Sequence, residues 1–159
     1  MKELRKKVML LLEEKLLEFG FEKKMLNTFV RQLDDNRIQN IGFTFANCGQ
    51  KYSFYLNPVI GVAYKNVNRL AAQLNNALPF KYPEYVYATI STPLGYLMPE
   101  NTFKEWKFSN PEDVEKEANS MADAIIEYGL PYLNEFSDED NLVYGLESVS
   151  YTHLTLPTT

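Results

Sequence analysis

Thr28-Phe29-Val30-Arg31-Gln32-Leu33-Asp34-Asp35-Asn36-Arg37-Ile38-Gln39-Asn40-Ile41-Gly42-Phe43-Thr44-Phe45-Ala46-Asn47 is the stretch that decides the fold. Phe29, Arg31 and Leu33 alternate with Thr28, Val30 and Gln32, and later Ile41, Phe43 and Phe45 alternate with Gly42, Thr44 and Ala46. A period of two marks a strand with one face on a core. Between the two runs stand Asp34, Asp35 and Asn36, whose short side chains bond to their own backbone and favour a turn. The whole reads as a β-hairpin. A second turn is expected at Asn47-Cys48-Gly49-Gln50, followed by a third strand in which Tyr52, Phe54 and Leu56 alternate with Ser53, Tyr55 and Asn57. Asn57-Pro58 and Gly61 are expected to disturb the far end of that strand, because proline cannot donate to a ladder and glycine often marks a bulge.

The period changes on both sides of this hairpin. Before it, Leu4, Val8, Leu11, Leu12 and Phe19 recur at helical spacing, which predicts an amphipathic helix over Lys2 to Phe19 with Gly20 as its left-handed stop. After it, Val67, Leu70, Ala71, Leu74 and Leu78 share one helical face, so a middle helix from about Asn66 to Ala77 is expected to cover the sheet and to stop at Pro79. Tyr85 to Thr92 and Phe103 to Phe108 read as further strands, being rich in β-branched and aromatic residues, with Gly95 to Glu100 between them. Asn110 is placed as N-cap and Pro111 as first helical residue, with Glu112 and Asp113 in the first turn. Val114, Ala118, Met121, Ala122, Ile125 and Ile126 continue that helix, Gly129 and Pro131 predict a break or kink, and Ser137 with Asp140 resembles a capping box for a short last helix.

Composition sets the class. A chain of 159 residues defaults to one domain that buries roughly 70% of its unfolded surface. With 45% hydrophobic, 14% aromatic and 23% charged residues it is globular in type. Neither a membrane span nor a signal peptide is expected, since the apolar run Val8 to Leu12 is short and ends in Glu13-Glu14-Lys15. A single cysteine, Cys48, fits a reducing, cytoplasmic location. The charge is split: residues 1–110 hold 15 Lys and Arg against 10 Asp and Glu, whereas 111–159 hold 1 against 11. Nucleic acid is therefore a poor partner.

Several chemistries lose their residues at this point. The only histidine is His153, in the last eleven residues, so no Ser-His or Cys-His pair and no histidine-containing metal site is expected in the body of the chain. The seven glycines form no phosphate-cradling pattern, and no cofactor is expected. Asp34-Asp35-Asn36 lacks the ligand spread of a cation loop and is read as a turn, and Ser137 to Asp140 is read as a helix start rather than a metal site. A carboxylate pair drawn from Glu84, Glu100 or Glu105 is the remaining route to acid–base catalysis. Of the aromatic group Phe80, Tyr82, Tyr85, Tyr87, Tyr96 and Trp106, most are read as core, with Tyr82 and Tyr85 exposed beside Pro79 and Pro83 as interface anchors.

A family resemblance rests on Phe21-Glu22-Lys23-Lys24, Thr28-Phe29-Val30-Arg31, Ile38-Gln39-Asn40-Ile41 and Phe54-Tyr55-Leu56-Asn57. These runs resemble the opening of the bacterial domain of unknown function 4304 family. The resemblance implies a small α+β bacterial domain, carries no catalytic residue, and extends to relatives thought to sit beside toxin genes as immunity proteins. The tail Val149 to Thr159 resembles translated sequencing-adapter read-through and is expected to be non-native or disordered. The expectation is thus one α+β domain over 1–148, with an antiparallel sheet of four to six strands packed by an N-terminal, a middle and C-terminal helices. Its expected role is that of a binding module for a basic protein, with Glu112, Glu115, Asp123, Glu127, Asp138, Glu139, Tyr82 and Tyr85 as contact residues. The alternatives are a histidine-free enzyme using carboxylates or tyrosines in a cleft, and a structural subunit of a homo-oligomer.

Overall fold

A computed structural model describes residues 1–47, 49 and 53–154. Helix α1 (Lys2–Leu17) leads into a meander of β1 (Glu22–Met25), β2 (Thr28–Gln32), β3 (Arg37–Asn47) and β4 (Phe54–Tyr64). Helix α2 (Lys65–Leu74), β5 (Ile90–Pro93) and β6 (Trp106–Phe108) follow, then α3 (Val114–Ala124), α4 (Leu130–Phe136) and α5 (Glu139–Leu154). The strands form one antiparallel sheet in the order β1-β2-β3-β4-β5, with β6 beside β5 on the outer edge of β4. The chain is α+β with helices packed on an antiparallel sheet.

The hairpin is as the alternation predicts, with Phe29 opposite Ile41 and Thr28 opposite Gly42. The apolar set points to one face, where Phe29, Ile41, Phe43, Phe54, Leu56 and Ile60 meet Val8, Met9, Leu12 and Leu16 of α1 and Val114, Ala118, Met121 and Ala122 of α3. Aromatic packing ties the layers: Phe54 stacks on Phe108 at 5.3 Å and Phe29 meets Phe43 edge-on at 5.8 Å. On the opposite face Val30, Ile38 and Ala63 form a smaller cluster capped by Tyr85. Gly20 adopts φ +82° and ends α1 as expected.

Several boundaries differ from the sequence reading, each for a local reason. β4 runs undisturbed through Pro58 and Gly61 to Tyr64. Its outer edge pairs with β6 at residues 54–56 and with β5 at residues 59–62, so proline falls in the gap between two partner strands. Gly61 is needed for space, because a Cβ there would lie 2.6 Å from Asn40 Oδ1 and 2.8 Å from Ala88 Cβ. Of the expected strand Tyr85 to Thr92 only residues 90–92 are in the sheet, as part of β5, since Pro83 opens a 3-10 turn over Glu84–Val86. Likewise only Trp106–Phe108 of the expected 103–108 strand pairs.

Helix α3 starts at Val114 behind Asp113, because Asn110 to Asp113 close a turn in which Asp113 N donates to Asn110 O at 3.1 Å. In place of a break there is a π-turn at Ile125–Gly129 that runs directly into α4, with Pro131 in the first turn of α4. The cap of α5 is Asp138, not Ser137: Asp138 Oδ1 accepts from Asp140 N at 3.0 Å and Asn141 N at 3.1 Å. Ser137 is buried and accepts instead from Gln39 Nε2 at 2.8 Å. The backbone of α5 continues to Leu154. Residues 155–159 of the expected tail, and Cys48, Gln50, Lys51 and Tyr52 of the second turn and third strand, lie outside the described residues. Among the described residues no helix is long and apolar enough to cross a membrane.

Candidate binding surface

Two acidic runs separated by about a hundred residues in the chain meet at one corner of the sheet. Asp34, Asp35 and Arg37 of the β2–β3 turn face Asp138, Glu139 and Asp140 at the start of α5 across an open cleft of about 560 Å³. Arg37 binds both walls. Its Nε lies 2.7 Å from Asp34 Oδ2, and its Nη1 donates to Ser137 O at 2.7 Å. Asp34 Oδ1 also accepts from the backbone of Asn36 at 2.9 Å and Arg37 at 2.6 Å, the Asx geometry that its place in a turn calls for. Beneath the cleft, Gln39 Nε2 reaches Leu133 O at 3.2 Å as well as Ser137, which anchors α4 to β3. The turn is held from the other side by α2, whose Lys65 N and Asn66 N donate to Asn36 O and Oδ1, each at 2.9 Å.

The electrostatics follow from this arrangement. Hydrogen bonds from the Arg37 backbone, then from its side chain, hold the Asp34 carboxyl below its usual range, so it stays ionised. Asp138 is occupied in capping α5. Asp35, Glu139 and Asp140 have no side-chain hydrogen bond or ion pair among the described residues. Five carboxylates thus surround one guanidinium, a strongly negative corner whose charges are open to a ligand. No group of three or more His, Cys, Asp or Glu among the described residues is placed to hold a metal ion.

The residues singled out from sequence fall in three places. Asp138 and Glu139 line the cleft. Glu112, Glu115, Asp123 and Glu127 are exposed on α3, the turn before it and the π-turn after it, outside the cleft. Helix α3 packs against α1, yet among the described residues no ion pair joins these acids to the lysines of α1. Glu127 bonds Tyr128, whose hydroxyl is pushed up by that contact and then by burial.

Tyr82 is 48% exposed, whereas Tyr85 is half-buried on the second cluster with its carbonyl held by Asn40 Nδ2 at 2.9 Å. Only Trp106 of the aromatic group is in the core; Tyr87 stacks on Phe80 in a surface cluster at 5.0 Å, and Tyr96 is exposed. That differs from the expected core role, because Tyr85 packs on the small cluster of the second sheet face and the rest of the group is half-buried or exposed. Glu84 is bound twice by Arg69, with Nη2 to Oε2 at 2.7 Å, and that contact holds it below the usual carboxylate range. It therefore stays a carboxylate rather than an acid, and Glu100 and Glu105 are exposed elsewhere.

Asp34, Asp35 and Asp140 are legible in sequence only as turn and cap residues, Arg37 carries no signal there, and no local pattern links the four. The sequence comparison adds the family. The model described as Domain of unknown function (DUF4304) matches residues 12–135, which includes the hairpin wall of the cleft and stops just short of the α5 wall. No curated protein and no solved structure matches the chain.

Proposed function

We propose, from the premise that this chain belongs to the DUF4304 family of domains of unknown function, that it is a binding module which captures a basic protein through its acidic C-terminal surface. The finer reading is that of an immunity protein that covers the substrate site of a basic toxin. The supporting observation is the cleft between Asp34, Asp35 and Asp138, Glu139, Asp140, where one arginine is set against five carboxylates. Asp34 and Asp138 fix the two walls through their hydrogen bonds, and the remaining carboxylates offer acceptors for lysine or arginine side chains of a partner. The exposed acids of α3 extend the negative surface, which steers a basic partner at long range before short contacts form.

The test is capture from a bacterial lysate on the immobilised full chain. Two variants accompany it: Asp35→Asn with Glu139→Gln in the cleft, and Glu112→Gln, Glu115→Gln, Asp123→Asn and Glu127→Gln on the α3 side. Retention of one basic protein at about 0.15 M salt, its release at about 0.5 M, and its loss with the cleft variant are the expected results. Equal retention by all three forms, or none by the parent chain, overturns the reading.

A further inference from the structure

We propose that the sheet face opposite α1 and α3 carries a second binding site, a cavity of about 220 Å³ beside Gly42 that takes a small, uncharged, planar amide such as a nucleobase. This face is built by the residues that alternate with the core set, among them Thr28 of β2, Asn40 and Gly42 of β3 and Val59 of β4, with Thr28 and Val59 on either side of Gly42. Helix α2, whose spacing predicts a cover for the sheet, leaves Leu70 58% and Leu74 76% exposed. The segment after it lines the cavity instead. Tyr85 packs on Val30, Ile38 and Ala63, its carbonyl accepts from Asn40 Nδ2 at 2.9 Å, and Val86, Ala88 and Ser91 complete the wall. The cavity shares no residue with the acidic cleft.

Two observations point to a ligand. Glycine inside a strand weakens it and is found where a bulge, tight packing or the close approach of another molecule calls for it. Gly42 has no such reason within the chain: its φ is not left-handed, its pairing is regular, and a Cβ there would meet no atom within 4 Å. Gly61 is the contrast, since Asn40 Oδ1 and Ala88 press on it. Asn40 is the second observation. It is only 7% exposed, and while its Nδ2 donates to Tyr85 O, its Oδ1 accepts no hydrogen bond among the described residues. A buried acceptor of this kind calls for a donor. The hydroxyls of Thr28 and Ser91 on the same wall also make no side-chain hydrogen bond among the described residues. Size and charge then select the ligand. No lining residue is ionisable, so a nucleotide, an amino acid or a fatty acid would bring in a charge that nothing on the wall matches. About 220 Å³ equals roughly seven water volumes and falls below the about 300–1,000 Å³ of drug-sized sites, so one ring fills it. A planar amide offers an N–H to Asn40 Oδ1, a carbonyl to the Thr28 or Ser91 hydroxyl, and an apolar ring face to Val59, Val86 and Ala88. A sugar would set hydroxyls against those methyl groups.

NMR chemical-shift titration of the isotope-labelled full chain tests this, with uracil and nicotinamide as neutral probes, their carboxylate counterparts orotate and nicotinate, and glucose, each to about 10 mM. Uracil or nicotinamide is expected to bind with a Kd of about 1 mM or tighter and to shift the amides of Gly42, Val59 and Ala88, and which of the two binds tighter separates a nucleobase from an exocyclic amide. The anions and glucose are expected to bind at least about tenfold more weakly. Gly42→Leu, whose Cβ displaces nothing, is expected to keep a folded spectrum and lose the site, and Thr28→Val with Ser91→Ala, which keeps the shape, to weaken binding at least about tenfold. No shift from either neutral probe at about 10 mM overturns the proposal, as does equal binding of the anions or of glucose. A folded Gly42→Leu chain, or a Thr28→Val, Ser91→Ala chain, that binds as the parent does overturns it too.

Discussion

Arg37 has two jobs that its neighbours in sequence do not reveal. It closes the Asp34 turn and it bonds the Ser137 carbonyl between α4 and α5, so one side chain joins the hairpin to the C-terminal helices. The folded-state carboxyl of Asp34 titrates below its unfolded value, so its stabilising contribution is present above the unfolded pKa and is lost as pH falls through the lower folded one. Asp34→Asn therefore lowers the urea midpoint at pH 7, and its deficit against the parent shrinks to nothing as the pH is taken well below 4. Gly95 is a second residue-scale determinant. A Cβ there would lie 2.7 Å from Lys104 N and against Thr102 O, both backbone atoms that cannot swing aside. Gly95→Ala should cost about 1–3 kcal/mol in thermal or chemical unfolding. Tyr132, pushed up to about 12 by burial, stays protonated after an unfolded chain would have ionised. Stability consequently declines from about pH 10 upward, and Tyr132→Phe should flatten that alkaline limb.

The elements show where pattern and tertiary context part company. β2 and β3 keep Phe29, Ile41 and Phe43 on the face that meets the main core, while Val30 and Ile38 join the smaller cluster behind it. β4 outruns its own breaker, since Pro58 sits where the outer edge changes partners. At the junction of α4 and α5 the Ser-x-x-Asp pattern points to Ser137, but the cap one residue later is Asp138. Asp138→Ala should cost about 1 kcal/mol as a lost cap. Ser137→Ala should cost about 1–3 kcal/mol for a different reason, because it strips a buried partner from Gln39 and loosens α4 from β3. Urea titration of the two single variants and their double separates the two: additive losses fit independent roles, and a neutral Asp138→Ala would restore the capping-box assignment.

At the scale of the whole molecule, the split between a basic first 110 residues and an acidic remainder does not become a salt-bridge network among the described residues. Glu115 and Asp123 of α3 stay exposed, and Asp138, Glu139 and Asp140 at the start of α5 meet the two aspartates of the hairpin turn, like charge against like. Screening should relieve that repulsion, so raising NaCl from about 0.05 to 0.5 M should lift the thermal midpoint by about 1–3 °C in the parent chain and by less in Asp35→Asn with Glu139→Gln. The sequence by itself determined the fold class, the hairpin, the left-handed stop at Gly20 and the localisation of negative charge, because periodicity, turn chemistry and charge are properties of neighbours along the chain. Only the tertiary structure decided that Asp34 and Glu139 share a cleft, that Tyr85 packs on Val30 and Ile38, and that the apolar stripe of α2 faces outward. Those three outcomes depend on which surfaces the packed sheet leaves uncovered and on contacts up to a hundred residues apart, which no local pattern encodes.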